Sequence, residues 1–507
     1  MLRSAIIFFL VNYCAFLFSQ DLAYTRNFAT VRKNVPVQIV NNHAGYFHVL
    51  RYNKLAHDFT VERRQKPSGE ILAFTPLMLD SVNAGWFNYE KLTYLFFESG
   101  HSAFFVFEKV LNNKRSIYLK VVDTLGKAGR FTELAFLEKD KTVRDINFEF
   151  KITDHDKLLI TGTQYYINNT VKKVVLLYDP AKKEKIWMRK LPLENEYTGY
   201  SQSFITNAHN DLFYIVAKAR VVSYKRKFVQ NVQYLLPVFF YDSLVVASFL
   251  SGAGNINRAA LAINNLSALK SIALHADDKT VAAMAHFVKQ NNAGEEEPFF
   301  LSQGFSNDLG TTVFSEITPV SDDTKEKLTF YDGTDYNSPA EKDHALLETI
   351  AAGGVNYYLS ERREENYYKE MLLWKINLRT GLVMSQEIIP RKIFYFDDRT
   401  RFKNIGTTAQ MVYNDNFYSF LLEDRDNLKK GARDFKFHKF SRQKYLWGAN
   451  LVAYIVRPGG KFEKKIIFKN ADFDFVPLIY RATQPDFILY LNNTRVEKFA
   501  ILKLDGL

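Results

Sequence analysis

A short pattern of strand, turn and strand recurs along this chain and restricts it to folds built from repeated antiparallel hairpins. In the clearest copy, Leu372 to Val383, two strand-like runs flank a polar turn whose Gly381 can adopt the positive φ that tight hairpins require. A second copy runs from Val174 to Met188, and a looser one from Ile117 to Phe131. Each copy predicts one hairpin of a larger repeat.

Strand-like runs that begin these repeats lie mostly about 50 to 70 residues apart, which is a spacing typical of repeat architectures. They are Tyr46–Leu50, Leu92–Phe97, Leu158–Ile160, Leu212–Val216, Phe299–Leu301, Val355–Leu359, Phe417–Leu422 and Phe487–Tyr490. Several are followed by a second and sometimes a third alternating run, so the repeating unit is a small antiparallel sheet. We therefore predict an all-β fold, a seven- or eight-bladed β-propeller of antiparallel three- or four-stranded blades with short helical insertions.

Two turns also resemble a known propeller motif. The chain resembles the β-propeller superfamily, in particular its quinoprotein-like branch, whose blades carry an Asp-x-x-Thr-Gly-x-x-x-Trp turn that docks neighbouring blades. Asp179 and Trp187 have that spacing, although Lys182-Lys183 replaces Thr-Gly; Thr380-Gly381 matches the turn, although Asn377 and Ser385 replace the Asp and Trp. The resemblance implies a fold and says nothing of quinone binding, so we predict no cofactor.

The first 20 residues have the composition of a secretory signal peptide. Arg3 supplies a positive start, Ala5 to Phe18 supplies an apolar core, and Asp21 marks the return to polar sequence. Cys14 is the only cysteine, so the β-propeller domain predicted for residues 21–507 has no thiol. We expect an exported, soluble protein, secreted or located in the periplasm or cell envelope. No later apolar run approaches the roughly 18 residues of a membrane span, and we predict none.

The net charge of +12 is divided among short basic groups that alternate with acids. Examples are Lys182-Lys183, Arg189-Lys190, Lys225-Arg226-Lys227 and Lys464-Lys465. A nucleic-acid-binding protein would more typically gather such residues into one stripe, so we predict no nucleic-acid partner. The groups are typical of solvated strand edges that lysine protects from unwanted pairing; attraction to acidic glycans or anionic surfaces is the alternative.

Residues 235–300 interrupt the repeat. Ser243 to Phe249 is compatible with the start of an additional blade, while the alanine-rich stretch from Ala259 to Ala285 is compatible with a helix. Periodicity does not distinguish strand from helix in such short runs, so the blade count stays at seven or eight.

A second irregularity predicts a helix. Ser338-Pro339-Ala340-Glu341 has the form of a helix cap with a first-turn proline and a capping-box glutamate, and Gly353-Gly354 would end the helix. Leu346, Leu347 and Ile350 would share one face of it. Such a segment would be either a short lid on the propeller or an ordinary surface insertion.

The sequence lacks the common catalytic signatures. It has no G-x-S-x-G elbow, no G-x-x-x-x-G-K-[ST] phosphate loop and no H-E-x-x-H zinc helix. Acidic groups at Asp332–Asn337 and Glu423–Asn427 lack the full calcium-loop spacing, and acidic turns between strands are common. We therefore predict no metal site.

Five residues are candidates for ligand binding. His43, His155 and His209 each precede a strand predicted to be the inner strand of a blade, and such positions converge on one mouth of a propeller channel. Three imidazoles there would suit a metal or a sugar ring; the alternative is that histidine, like Asn and Asp, simply tolerates turn conformations. Arg362 and Arg363, after the Tyr357-Tyr358 strand, form a candidate anion site.

These observations predict a binding or scaffolding module for a protein or glycan partner. The alternative is a secreted polysaccharide lyase or glycoside hydrolase with an active site at the channel mouth. Two convergent carboxylates, or Tyr, His and Arg around one pocket, would favour the enzyme. A wide, shallow face rimmed by aromatic residues would favour the binding module.

The two ends of the chain supply complementary pieces of sheet. The last repeat begins near Gln484 and has room for only two strands, whereas the segment Phe28–Val40 has no blade of its own. Pro36 suits an outer edge because it has no N–H to donate, and Val35, Val37 and Ile39 would share one face. We therefore predict that this segment pairs with the last strands and closes the ring.

Overall fold

The computed structural model describes residues 22–506 apart from several short stretches. The residues outside the description are 27, 30–33, 54, 80–91, 112, 168–169, 192–202, 230–231, 252–253, 264–265, 291–295, 333–343, 365–366, 396–407, 425, 428–437, 441–448, 459–461, 470–473, 477–478, 483–484 and 493–495. The predicted signal peptide, residues 1–20, also lies outside the described residues.

The chain folds into four-stranded antiparallel units that follow one another in sequence. Two short strands come first, β1 (Leu22–Tyr24) and β2 (Phe28–Ala29). Unit 1 contains β3 (Asn34–Asn41), β4 (Tyr46–Asn53), β5 (Asp58–Gln65) and β6 (Ile71–Pro76). Unit 2 contains β7 (Tyr94–Ser99), β8 (Ser102–Leu111), β9 (Lys114–Val122) and β10 (Thr132–Glu138). Unit 3 contains β11 (Val143–Ile152), β12 (Leu158–Tyr166), β13 (Val171–Asp179) and β14 (Glu184–Lys190).

The middle of the chain continues the series. Unit 4 contains β15 (Phe204–Thr206), β16 (Leu212–Val229), β17 (Val232–Phe249) and β18 (Ile256–Ala260). Unit 5 contains β19 (Leu266–Ala276), β20 (Thr280–Gln290), β21 (Glu296–Ser306) and β22 (Thr312–Pro319), and the helix α1 (Asp322–Asp332) follows it. Unit 6 contains β23 (His344–Ala352), β24 (Val355–Glu364), β25 (Tyr367–Asn377) and β26 (Val383–Ile389).

The last two units complete the ring. After the short strand β27 (Ile393–Tyr395), unit 7 is formed by β28 (Thr408–Tyr413), β29 (Asn416–Asp424), β31 (Ala449–Val456) and β32 (Phe462–Lys469), with β30 (His438–Phe440) pairing with β27 instead. Unit 8 contains β33 (Asp474–Val476), β35 (Asp486–Asn492) and β36 (Val496–Lys503), and β34 (Ile479–Ala482) pairs with β3 of unit 1. A 3₁₀ turn, Leu504–Gly506, ends the described chain.

Within each unit the strands pair in chain order, and the first strands of neighbouring units meet at the centre. Contacts of β3 with β7, β19 with β23 and β23 with β28 show this convergence. Counted as hydrogen-bonded sheets the propeller has seven blades, because units 4 and 5 share one eight-stranded sheet through the pairing of Tyr241 with Leu266. The predicted all-β propeller with seven or eight blades is confirmed.

Most runs that the sequence predicted to be inner strands are in fact second strands. The run at Tyr46 belongs to β4, that at Leu158 to β12 and that at Leu212 to β16, each one position outward from the channel. β4 is buried along its first seven residues, whereas the true inner strand β11 alternates between buried and exposed residues. A second strand is covered on both faces and is therefore the most apolar part of its unit, so sequence hydrophobicity identifies it first.

Two segments are strands: Ala259–Ala285, for which the sequence left helix and strand open, and 344–352, which was predicted to be helical. The stretch Ala259–Ala285 contributes to β18, β19 and β20, and Ala283 and Ala285 are buried in the core around β20. Residues 344–352, expected to lie in a capped helix, form β23, and Gly353 and Gly354 form its hairpin turn with φ of +58° and +76°. The proposed cap at 338–341 lies outside the described residues. The short helical insertion in the described chain is α1, whose first turn is capped by the Ser321 hydroxyl accepting from Thr324 N at 3.2 Å.

The turns that resemble the quinoprotein-like motif dock neighbouring units. Trp187 of β14 donates from Nε1 to the carbonyl of Asn210 in unit 4 at 3.0 Å, and Asp179 caps the turn before it by accepting from Ala181 N at 2.9 Å. In unit 6, Asn377 takes the place of the aspartate and accepts from Arg379 N at 2.9 Å. The motif therefore keeps its structural role although its residues differ.

The N-terminal chain closes the ring, as predicted, but with a different strand order. β1 pairs with β36 from Leu22 opposite Leu502, and β2 extends the same edge. The run at 34–41 is the inner strand of unit 1 rather than an outer edge, and its Gln38 to Asn41 portion pairs with β34. A register shift after Pro36 places Val37 and Ile39 in different core clusters, so they do not share one face.

No helix among the described residues is both long and apolar enough to cross a membrane.

Candidate functional site

A cavity of about 710 Å³ lies in the central channel at units 3 to 6. It is bounded by inner strands of four successive units together with the second strand of unit 3. Its lining residues are Glu149, Phe150 and Lys151 of β11, Leu159 and Thr161 of β12, Ser203 and Phe204 at the start of β15, Leu269 to Ile272 of β19, and Ala345 and Leu346 of β23.

The inner strands that line the cavity differ in length. β15 has three residues, whereas β11 and β19, on either side of it, have ten and eleven. Side chains of units 3 and 5, on either side of β15, line the same space.

The lining combines apolar, hydroxyl and charged groups. Glu149 and Lys151 are two residues apart on β11 and exposed, so they project from the same face of that strand. Phe204 stacks on Tyr214 with ring centres 5.5 Å apart. Ser271 is buried and accepts a hydrogen bond from the Tyr358 hydroxyl at 2.6 Å, which fixes its position, and burial raises the pKa of that Tyr358.

Charged groups of units 3 and 5 approach one another beside this cavity. His275, near the end of β19, is affected electrostatically by Asp154 and His155 in the turn after β11, and by Lys151. Burial lowers the pKa of His275, and Asp154 and Asp277 oppose that shift. His155, in the turn after the cavity-lining strand β11, is therefore within electrostatic range of a histidine of another unit.

A second polar cluster, which we call the His43 cluster, lies between units 1 and 2. His48 and Glu98 are buried and form a short hydrogen bond. The second carboxylate oxygen of Glu98 lies 3.6 Å from His43 Nε2, and neither atom has a hydrogen-bond partner. The His43 ring stacks between Tyr46, at 4.3 Å, and the exposed His101, at 5.1 Å.

Burial and neighbouring charges set the protonation of the His43 cluster. Burial lowers the pKa of His43, Glu98 raises it, and His101, His48 and Arg63 lower it further. Burial also raises the pKa of Tyr46, whereas Arg63, whose guanidinium carbon lies 3.8 Å from the centre of that ring, lowers it. Below its lowered pKa, His43 would carry a charge that faces the unpaired oxygen of Glu98.

The three predicted histidines occupy equivalent turns but do not form one cluster. His43, His155 and His209 lie between the first and second strands of units 1, 3 and 4, on one face of the ring. In the described part of the chain, no hydrogen bond or ring contact joins any two of them. His209 is exposed, and the turn residues with positive φ are its neighbour Asn210 and the neighbour of His155, Asp156, rather than the histidines.

The predicted arginines lie within a strand. Arg362 belongs to β24 rather than to a loop after it, is 3% exposed, and forms an ion pair with Glu370 at 3.0 Å. The backbone of Arg363 is in the same strand, and its side chain lies outside the description. Arg362 is thus part of the interior of unit 6.

The described residues contain no group of three or more His, Cys, Asp or Glu side chains arranged to hold a metal ion. In the acidic run that begins at Glu423, the Glu423 carboxylate is buried and accepts from Tyr454 Oη at 2.7 Å and Lys464 Nζ at 2.6 Å. The first carboxylate of that run therefore has a structural role, because it pairs with groups of its own unit.

Several residues of these two sites have no distinctive sequence pattern. His48 lies in β4, whereas Glu98 lies near the end of β7 and His101 lies in the turn after it, and Glu149 and Lys270 are ordinary charged residues in their own strands. One signal was present: His48 is a titratable residue in the middle of the otherwise apolar run Tyr46–Leu50. Its burial follows from the assignment of that run to the second strand.

Comparison with known proteins gives matches only among solved structures. No protein-family model matches the sequence, and no curated protein matches it. A quinohemoprotein alcohol dehydrogenase from Pseudomonas putida HK5 is 9% identical, with a TM-score of 0.42, over 96% of this chain and 77% of that one. The polysaccharide lyase Uly1 is 10% identical, with a TM-score of 0.39, over 95% of this chain and 100% of that one.

A prolyl endopeptidase is also similar, with 11% identity and a TM-score of 0.40 over 93% of this chain. The chain spans 55%, about half, of the length of that endopeptidase. The assignment to the propeller fold rests on the strand topology described above.

Proposed function

We propose that this protein is an exported binding module that holds a glycan in the channel cavity. The observation that carries the proposal is the composition of that cavity, in which Phe150 and Phe204 lie among hydroxyl groups and charges of both signs. Sugar rings offer apolar C–H faces to aromatic rings and many hydroxyl groups to polar side chains. Its volume also falls within the roughly 300–1,000 Å³ typical of small-ligand sites. Export rests on the signal-like sequence of residues 1–20.

The described lining favours binding over hydrolysis. Glycoside hydrolysis usually needs two carboxyl groups on either side of the scissile bond. Among the described lining residues the carboxylate is Glu149, accompanied by Lys151 and Lys270. This set supplies hydrogen bonds and charge for orientation without a described acid and base pair.

An enzyme is the second candidate, and the His43 cluster is the observation that favours it. Tyr46, His43, His101 and Arg63 meet at one place, where an orphaned buried carboxylate oxygen faces an orphaned imidazole nitrogen. Groups of this kind can transfer protons during polysaccharide cleavage by a lyase or hydrolase.

A glycan array followed by calorimetry on the best ligand tests the proposal. We expect Glu149→Gln to weaken binding at least tenfold, because a charge-assisted hydrogen bond is lost in a partly enclosed site. The matched control is Glu184→Gln, an exposed carboxylate on the turn into the rim strand β14, which should bind as the wild type does.

The same samples distinguish the two candidates. If the ligand is recovered intact, binding is supported. If it is depolymerised, and Tyr46→Phe abolishes that reaction, the enzyme replaces the binding module. Equal affinity of Glu149→Gln and wild type, or no glycan bound at all, would overturn the proposal for this cavity.

A further inference from the structure

The second hairpin of unit 4 is far longer than a blade requires. β16 and β17 have 18 residues each, whereas the other described strands have at most 11. Between Arg220 and Val229 on one strand and Val232 and Phe240 on the other, the described backbone pairs only within the hairpin. We call residues 218–229 and 232–241 the arm. At roughly 3.3 Å per residue, its paired portion is about 30 Å long.

The arm has an unusual charge composition. It contains five basic residues and no acidic one, namely Lys218, Arg220, Lys225, Arg226 and Lys227. The whole chain has a net charge of +12 over 507 residues, so the arm concentrates positive charge. The sequence pattern of Lys225-Arg226-Lys227 is typical of a solvated strand edge of a blade. In the structure these residues lie instead in a hairpin segment whose described backbone pairs only within the hairpin.

The register shows how charge and apolar residues are distributed. Every basic residue lies on β16, and the opposite strand carries the apolar run from Tyr234 to Tyr241. In the ladder, the partners of four basic residues are apolar: Arg220 is opposite Phe240, Lys225 opposite Leu236, Arg226 opposite Leu235 and Lys227 opposite Tyr234. Residues 218–241 contain no acid to offset these charges, and Asp242 follows directly.

Such a ribbon lacks the usual means of stabilisation. A two-stranded hairpin without a third strand is marginal in water, and like charges on one strand repel. An acidic polymer would neutralise the charges but would offer no apolar contact to the run from Tyr234 to Phe240. A surface of anionic phospholipids satisfies both, since basic residues bind the headgroups while aromatic and aliphatic residues enter the interface.

We propose that the arm binds the surface of an anionic phospholipid membrane and so tethers the propeller to it. The interaction needs no spanning segment, because the positive strand and the apolar strand lie side by side in one ribbon. It is independent of glycan binding in the channel cavity, which is formed by other strands.

Sedimentation with vesicles tests the proposal on the whole mature chain. We expect binding to vesicles of phosphatidylcholine that contain about 30 mol% phosphatidylglycerol, and none to pure phosphatidylcholine. The triple variant Lys225→Gln, Arg226→Gln, Lys227→Gln should bind at least tenfold more weakly, and salt should weaken the wild type more steeply than the variant. The matched control removes three exposed lysines of unit 3, Lys182→Gln, Lys183→Gln and Lys185→Gln, and should bind as the wild type does.

A fluorescent variant tests the apolar strand separately. Relative to the wild type, Phe239→Trp should gain an emission component that shifts to the blue on addition of anionic vesicles and is quenched by brominated lipid. Equal binding by the triple variant and its control would overturn the proposal. An added emission component that does not change when lipid is added would also overturn it. So would a soluble sulfated polysaccharide that the protein binds more tightly than vesicles and that abolishes vesicle binding.

Discussion

His43 and Glu98 illustrate how a single residue can link fold and chemistry in this protein. The turn after β3 brings His43 over the end of β7, where Glu98 is already paired with His48. One carboxylate oxygen and one imidazole nitrogen remain unpaired at a separation of 3.6 Å. Unsatisfied buried polar atoms are uncommon in folded proteins, so this pair either has a function or costs stability.

This arrangement predicts a stability loss in mild acid. The pKa of His43 is lowered from its usual value of 6.5, chiefly by burial. Between that lowered pKa and 6.5 the unfolded chain therefore binds more protons than the folded one, and the free energy of unfolding falls as the pH falls through this window. We expect His43→Gln to reduce the slope of melting temperature against pH between about 6.5 and 5.

His209→Gln provides the control for that experiment. His209 is exposed in the equivalent turn of unit 4, and we expect its removal to leave the slope unchanged. Identical slopes for His43→Gln and the wild type would show that other groups, such as the partly buried His275, cause the acid sensitivity.

At the residue scale, the sequence indicated which residues lie in turns better than it indicated which side chains contact them. His43, His155 and His209 do lie in turns, because an apolar run after a polar turn is visible locally, but these turns precede second strands rather than the predicted inner strands. Their neighbours were not predictable, since Glu98 and His275 reach them from other units. A single sequence does not indicate which turns lie close together in the folded protein.

At the scale of elements, the contact between units 5 and 6 depends on one turn. Gly381 has a φ of +75°, and a β-carbon added there would lie 2.4 Å from the Phe314 ring of β22. The same ring covers Gly304 of β21, where an added β-carbon would also lie 2.4 Å away. Glycine is therefore needed at 381 both for backbone conformation and for the close approach of the neighbouring unit.

Gly381→Ala should accordingly destabilise the propeller. The left-handed conformation costs an alanine roughly 1–2 kcal/mol, and displacing Phe314 adds about 1–3 kcal/mol. The matched control is Gly100→Ala, which has a φ of +59° but open space around it, and it should show the backbone cost alone. Equal shifts of the unfolding midpoint for the two variants would mean that the Phe314 contact contributes nothing.

The same scale shows where element prediction failed. A cap-like sequence favoured a helix at 338–352, and alanine content was compatible with one at 259–285, but β19, β20 and β23 form because they pair with neighbouring strands. Leu346 packs towards one neighbouring unit while Leu347 and Ile350 pack towards another, which a strand between two units allows. The local preference of these residues for a helix is weak compared with the stabilisation gained when a strand is buried on both faces.

At the scale of the whole molecule, the first and last units meet along two seams. β1 and β2 complete the sheet of unit 8 at the rim, and β34 joins β3 at the centre. That the ends would pair was predictable from a shortage of strands at the C-terminus. The order was not, because a bulge after Pro36 and the short pieces at 22–24 and 28–29 carry no distinctive pattern.

Between the two seams lies a buried ion network centred on Arg51. This guanidinium is 1% exposed and contacts Glu62 of its own unit at 2.8 Å and Glu497 of unit 8 at 2.6 Å. Burial lowers the pKa of Arg51, but Glu62 and Glu497 outweigh it and raise the pKa overall. Glu497 also accepts from Tyr490 Oη at 2.8 Å, so the network ties β4 to the last two strands.

Removing Arg51 should therefore weaken ring closure more than removing a comparable surface arginine. Arg51→Ala leaves the buried Glu497 without its cation, whereas Glu62 keeps its ion pair with Arg64 at 2.7 Å. Breaking a buried pair in this way typically costs about 3–5 kcal/mol. The control Arg115→Ala removes pairs with Glu108 and Asp145, but Arg115 is 28% exposed, so about 1 kcal/mol or less is expected. Thermal unfolding and limited proteolysis of residues 21–33 would report both effects, because opening of the seam releases β1 and β2 from β36. If the two variants melt together and the N-terminal strands stay protected in Arg51→Ala, the ring is held by strand pairing alone.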